Sequence, residues 1–105
     1  MRRLAVLLCL LPWAARAAPS GQDIVLHGNS NGALPCAACH GVNGAGKPAT
    51  GAPALAGRPE GEIEAELAAM AQGKGGNALM RSIAHALSPA EAEAVAAYFA
   101  ALPKP

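Results

Sequence analysis

The run Cys36-Ala37-Ala38-Cys39-His40 constrains this 105-residue chain more than any other feature. Its two cysteines lie about one helical turn apart, so both sulfurs can reach one edge of the same flat ligand. C-x-x-C-H is the spacing at which two thiols attach covalently to a haem, and the adjacent histidine then ligates the iron. The motif therefore predicts one haem c per chain, with Cys36 and Cys39 as thioether anchors and His40 as the proximal iron ligand.

Two other uses of the cysteine pair require residues that the chain does not offer. A dithiol oxidoreductase would carry C-x-x-C beside a βαβ pattern, and no strand-like alternating run flanks the motif. A structural zinc site needs four ligands, usually in two separated pairs, and only the lone His27 and His85 are at hand as additional ligands. Both alternatives are disfavoured.

The first residues have the pattern of an export signal: a positive start, an apolar stretch and a small-x-small cleavage site, supplied by Arg2-Arg3, Leu4 to Leu11 and Ala15-Arg16-Ala17. The apolar stretch is shorter than the roughly 20 residues of a membrane span. We expect residues 1–17 to be removed as a signal peptide and residues 18–105 to form a single domain in the periplasm. Cys9 would be lost with the leader, and lipid attachment at Cys9 is the minor alternative.

Charge and core size bound the function of the remaining chain. Removing Arg2, Arg3 and Arg16 takes Lys+Arg from 8 to 5 against 7 acidic residues, so the net charge moves from +1 to −2. A small negative net charge does not favour binding to nucleic acid or to an anionic membrane. Only one Tyr and one Phe are left to build a core. Chains of this size often depend on a covalent staple or a metal, and a buried haem would supply apolar volume.

The pattern along the chain predicts an all-α fold of three to four helices wrapped around one covalently attached haem. Short apolar runs predict a first helix around Ile24 to Leu26 and a middle helix over Glu60 to Gln72. A final helix begins at Ser88, with Pro89 at its first position and Glu91 completing a capping box. Glycine and proline predict loops over residues 41–57 and 74–87.

The residue opposite His40 on the iron decides the function, because Met, His or an open position would suit different tasks. Met80 lies in the predicted loop, where its sulfur could fold over the distal face of the haem. Met70 lies on the apolar stripe of the middle helix and is better explained as a core residue. His27 and His85 remain as alternative ligands.

The chain resembles the class I monohaem cytochromes c of bacterial periplasms. Three segments carry the resemblance: Cys36 to Gly41, Pro53-Ala54-Leu55-Ala56-Gly57, and Met80 placed seven residues before Leu87-Ser88 and the helix ending Ala96-Ala97-Tyr98-Phe99. The resemblance implies that Met80 is the distal iron ligand and that the carbonyl of Pro48 accepts the second ring N–H of His40; a plain loop proline is the alternative for Pro48. It also implies a contact between Gly28 and Tyr98 where the first and last helices cross.

The expected function is therefore that of a periplasmic single-electron carrier with a His/Met-ligated haem c, and not that of an enzyme. Its partners would be redox proteins: a periplasmic dehydrogenase, an oxidase or a membrane quinol-oxidising complex. A haem subunit of a dehydrogenase or oxidase complex is the alternative, and a ligand-binding haem sensor is a weaker one. Related chains often place an aromatic residue near the haem propionates, where this sequence has Glu60-Gly61-Glu62. Arg58 and Lys74 are candidate propionate partners, although both are better explained as solvated surface charges.

Overall fold

The structure, a computed structural model, describes residues 19–105, so the predicted signal peptide and Cys9 lie outside the described residues. This part of the chain forms five helical segments: α1 (Gly21–His27), α2 (Ala37–His40), α3 (Glu60–Ala71), α4 (Ala78–His85) and α5 (Pro89–Ala101). Residues 19–105 contain no β-strand beyond one isolated bridge between Lys47 and Ala52. The predicted all-α class is confirmed, with one short helix more than the three to four expected.

The first and last helices cross at a glycine. A Cβ atom built on Gly21 would overlap the carbonyl oxygen of Ala94 and lie 3.0 Å from Cβ of Tyr98, so only glycine permits this close approach of α1 to α5. The expectation that Gly28 fills this role is wrong. Gly28 instead ends α1 in a left-handed conformation with φ of 74°, and its backbone lies against Ala33.

The capping box predicted at the start of α5 is confirmed. The Ser88 hydroxyl accepts a hydrogen bond from the Glu91 backbone N–H at 3.1 Å, and the Glu91 carboxylate accepts one from the Ser88 backbone N–H at 2.9 Å. Asn29 joins this cap by donating from Nδ2 to the Glu91 carboxylate at 3.2 Å and to the Ala86 carbonyl at 2.8 Å. The turn after α1 is therefore tied to the beginning of α5.

The prediction of a continuous loop over residues 74–87 is wrong, because α4 occupies Ala78–His85. Asn77 is its N-cap and accepts a hydrogen bond from the backbone N–H of Met80 at 2.8 Å. The glycine turn that precedes α4 ends at Gly76. Arg81 of α4 donates hydrogen bonds to the carbonyls of Gly75 and Gly76, which fixes this turn to the helix. Met80 thus lies in the first turn of a helix.

Helices α2 to α5 and the 41–57 segment together line one cavity. Phe99, Val25 and Val95 are the largest fully buried side chains, and α3 packs against both α4 and α5. The predicted loop over residues 41–57 is confirmed as non-helical, and it turns back on itself at the Lys47–Ala52 bridge. Within residues 19–105, no helix combines the length and apolar character needed to cross a bilayer.

We predict that Glu91→Gln weakens the fold in a pH-dependent way. The hydrogen bond from the Ser88 backbone, and then that from Asn29, lowers the pKa of Glu91. Because the folded-state pKa lies below the unfolded one, the carboxylate stabilises the fold above the unfolded pKa, and this contribution is lost as pH falls through the folded value. At pH 7 the variant should lose up to about 1 kcal/mol of unfolding free energy.

Urea unfolding at pH 7 and at about pH 3 measures the effect, since free glutamate titrates near pH 4.3. The stability gap between wild type and Glu91→Gln should shrink at the lower pH. Glu93→Gln is the matched control, because it changes the same charge on an exposed side chain of α5 outside the cap. A gap that is the same at both pH values would contradict the prediction.

Candidate functional site

The side chains singled out by the motif meet at one cavity of about 640 Å3. Its walls come from α2, the 41–57 segment, α3, α4 and α5, and its lining is mainly apolar, including Leu67, Ile83 and Phe99. Cys36, Cys39, His40 and Met80 all contribute to this lining. A volume of this size is typical of sites that bury a cofactor, with a few polar groups to orient it.

Both cysteines line the cavity from a single turn, Cys36 as the N-cap of α2 and Cys39 within the helix. Cys36 and Cys39 are half-buried and are not joined in a disulfide. Burial raises the pKa of the Cys36 thiol to about 11, so this sulfur is uncharged in the folded chain at neutral pH. That environment suits a thioether and opposes a reactive thiolate, which needs an electropositive and partly exposed setting.

His40 is held rigidly at the cavity wall. It is only 4 % exposed, and its ring centroid lies 6.5 Å from that of Phe99. Its Nδ1 lies 2.9 Å from the carbonyl oxygen of Pro53, which can only accept, so Nδ1 carries the proton. Nε2 is then the nitrogen that can ligate a metal, and the carbonyl bond fixes the ring and raises its basicity.

The assignment of this carbonyl to Pro48 is wrong. Pro48 is exposed in the turn of the 41–57 segment, and its carbonyl accepts from the backbone N–H of Gly51 at 3.2 Å. The carbonyl that reaches His40 belongs to Pro53, which opens the Pro-Ala-Leu-Ala-Gly segment. The Pro-Ala-Leu-Ala-Gly segment was the sequence signal that could have identified this carbonyl. Proline restricts φ, and this restriction helps to fix the position of its carbonyl.

Two methionines are among the residues that line the cavity. Met80 and Met70 both line the cavity and are both partly buried. Met70 packs against Gly76, where an added Cβ would lie 2.5 Å from its sulfur, and the same Cβ would lie 3.6 Å from Cβ of Met80. His27 and His85 do not line this cavity. His27 is exposed, and Nδ1 of His85 lies 3.3 Å from the carbonyl of Ala71.

A charged cluster lies at the rim of the cavity. Arg58 pairs with Glu62 at 2.6 Å and with Glu66 at 2.7 Å, and the hydrogen bond from Arg58 lowers the pKa of Glu66. Arg58, Glu66 and Lys74 all line the cavity. Arg58 is thus already bound to two carboxylates, while Lys74 makes no side-chain hydrogen bond within residues 19–105 and remains the simpler partner for an acidic group of a cofactor.

The two competing uses of the cysteine pair find no structural basis in the described part of the chain. No group of three His, Cys, Asp or Glu side chains is placed to hold a metal ion there, as a zinc site requires. The βαβ framework of a dithiol oxidoreductase is also missing from residues 19–105. The donor set of two sulfurs and one imidazole on a single turn, facing an apolar cavity, fits a haem.

Comparison with known proteins agrees with this fit. A family model described as cytochrome c matches residues 30–103. The chain is 42% identical over 97 residues to a thiosulfate dehydrogenase electron acceptor of Stutzerimonas stutzeri, covering 91% of this chain and 44% of the relative. It is 44% identical over 70 residues to a protein of the same name from Thiomonas intermedia, covering 67% of this chain and 32% of the relative. The chain thus spans less than half the length of these curated relatives.

Solved structures show the same fold. A cytochrome c4 of Acidithiobacillus ferrooxidans superposes with a TM-score of 0.72 at 34% identity, over 78% of this chain and 48% of that one. A thiosulfate dehydrogenase of Marichromatium purpuratum gives a TM-score of 0.75 at 30% identity, over 80% of this chain and 18% of that one. With the family model covering most of its length, the chain belongs to the cytochrome c family, and its cofactor is covalently bound haem c.

Proposed function

We propose that this protein is a periplasmic one-electron carrier whose haem c is attached through Cys36 and Cys39 and ligated by His40 and Met80. The observation that carries the proposal is one mainly apolar cavity that is lined by both cysteines and His40 from the α2 turn and by Met80 from α4. The haem, when bound, cycles between ferrous and ferric iron and so exchanges single electrons.

The chain's own residues supply attachment, orientation and exclusion of other ligands. The Pro53 carbonyl orients His40 through Nδ1. A methionine sulfur on the other side of the iron raises the reduction potential and blocks small ligands, which favours electron transfer over catalysis. The apolar lining would limit the access of water to the iron.

Two exposed leucines mark where a partner would approach. Leu34 is 52 % exposed and Leu79 is 49 % exposed, and both line the mouth of the cavity. An apolar rim at the edge of a redox cofactor suits transient docking of another redox protein. The named relatives are electron acceptors of thiosulfate dehydrogenase, so we propose a periplasmic dehydrogenase as the electron donor.

A haem domain held stably by a catalytic chain is the second candidate. The specific observation in its favour is the likeness to 18% of the thiosulfate dehydrogenase structure, in which a domain of this fold is one part of a larger chain. The two candidates differ in whether the protein stays with its dehydrogenase after electron transfer.

Replacing Met80 with Ala should open the distal position while haem attachment is kept, because attachment needs only the α2 segment. The ferric variant should lose the weak red-edge absorption band of an iron–sulfur bond, and the ferrous variant should bind carbon monoxide stoichiometrically, which the wild type should not. Met70→Leu is the matched control, since it removes the other cavity sulfur, and it should keep the band. Optical titration of both variants in both redox states provides the measurement.

A band that survives in Met80→Ala and disappears in Met70→Leu would transfer the distal role to Met70. Carbon monoxide binding by the wild type itself would favour the sensor function over the carrier function.

Mixing the oxidised protein with a thiosulfate dehydrogenase and thiosulfate should reduce its haem, and Leu79→Glu should slow that reduction about tenfold or more by placing a charge on the docking rim. Stopped-flow absorbance gives the rate, with Val42→Glu as the control at an exposed residue that does not line the cavity. Equal slowing by both variants would contradict docking at this rim.

Gel filtration of the wild-type protein mixed with the dehydrogenase distinguishes the two candidate functions. Separate elution of the two proteins supports the carrier, and co-elution supports the subunit.

A further inference from the structure

The carbonyl groups of α2 show how the haem-binding turn is held. A helix leaves its last carbonyls without intrahelical partners, and in a four-residue helix this applies to every one of them. The 41–52 segment supplies a donor to each: Gly41 N–H to Ala37 at 2.9 Å, Lys47 Nζ to Ala38 at 3.4 Å, Thr50 Oγ1 to Cys39 at 2.9 Å, and Gly46 N–H to His40 at 2.8 Å.

Among these donors, Thr50 has a special position. It is the only threonine of the chain, and its hydroxyl bonds the carbonyl of the cysteine that directly precedes His40. Three residues further on, the Pro53 carbonyl accepts from His40 Nδ1 at 2.9 Å. One short segment therefore contacts two consecutive residues of the haem motif, Cys39 through Thr50 and His40 through Pro53.

Thr50 and Pro53 are connected by a short hydrogen-bonded turn. The Lys47 N–H donates to the Ala52 carbonyl at 3.1 Å, and the Thr50 hydroxyl also lies 3.1 Å from the Lys47 carbonyl. Beneath this turn lies Gly46, where an added Cβ would come within 2.7 Å of the Ala52 carbonyl oxygen. Thr50 and Pro53 therefore belong to one hydrogen-bonded turn, through which a change at Thr50 can reach the Pro53 carbonyl.

We propose that Thr50 is a positioning residue for the iron ligand: its bond to the Cys39 carbonyl keeps the Pro53 carbonyl in register with Nδ1 of His40. This inference rests on the proposed role of His40 as proximal ligand. A strong hydrogen bond from Nδ1–H to the carbonyl makes the imidazole more basic, so that Nε2 would donate more electron density to the iron. Such a ligand favours ferric over ferrous iron. Loss of the Thr50 hydroxyl therefore weakens the hydrogen bond from His40 Nδ1 to the Pro53 carbonyl and raises the reduction potential of the haem.

The test compares Thr50→Val, which keeps the shape and removes the hydroxyl, with Thr50→Ser, which restores it. In the haem-bearing protein we expect the preference for ferric over ferrous iron to fall by up to about tenfold in Thr50→Val, a tenfold change being 59 mV for a one-electron couple. Thr50→Ser should match the wild type. Spectroelectrochemical titration measures the potentials, and the optical spectra should show unchanged axial ligands.

A second measurement separates positioning from a general loss of stability. In the ferrous protein, NMR should show faster solvent exchange of the His40 Nδ1 proton in Thr50→Val and unchanged exchange of the buried Phe99 amide. Equal acceleration of both protons, or a potential equal to that of wild type, would overturn the inference. Such a result would leave the His40 and Met80 assignment standing, whereas a wild-type spectrum without a sulfur ligand would remove the assignment itself.

Discussion

The structure depends on one constraint: a single helical turn must direct two sulfurs and an imidazole into the same cavity. A four-residue helix is far too short to be stable by itself, because nucleation fixes several residues for very few hydrogen bonds. Helix α2 exists because the following segment satisfies its carbonyls and because the Pro53 carbonyl holds the ring of His40. The thioether bonds to the haem add a covalent restraint to the same turn.

The haem also completes a core that the side chains alone leave thin. Phe99 is the single phenylalanine, it is fully buried, and its ring centroid lies 6.5 Å from that of His40 and 5.6 Å from that of Tyr98. Most other buried side chains are small or aliphatic, and many of them surround the cavity. Burying the two faces of a large flat cofactor against them supplies apolar contact that a domain of this size otherwise lacks.

Sequence reasoning was most effective where a local pattern has a local cause. The haem motif, the capping box at Ser88 and the stripe of α3 each depend on residues within a few positions of one another. Helix α4 was missed because the glycines at 75 and 76 were extended into a longer loop, although Asn77 is a favourable N-cap and Met80, Ile83, Ala84 and Leu87 have helical spacing. The contacts of Pro53 with His40 and of Gly21 with Ala94 join distant parts of the chain, so spacing alone could not identify them.

The proposed electron carrier depends most directly on its pair of iron ligands, His40 from α2 and Met80 from α4. X-ray absorption at the iron edge of the purified ferric protein would count the atoms around the metal. We predict one sulfur and five nitrogens, four from the porphyrin and one from His40, with the sulfur lost in Met80→Ala. Six nitrogens, or five-coordinate iron in the wild type, would contradict this prediction.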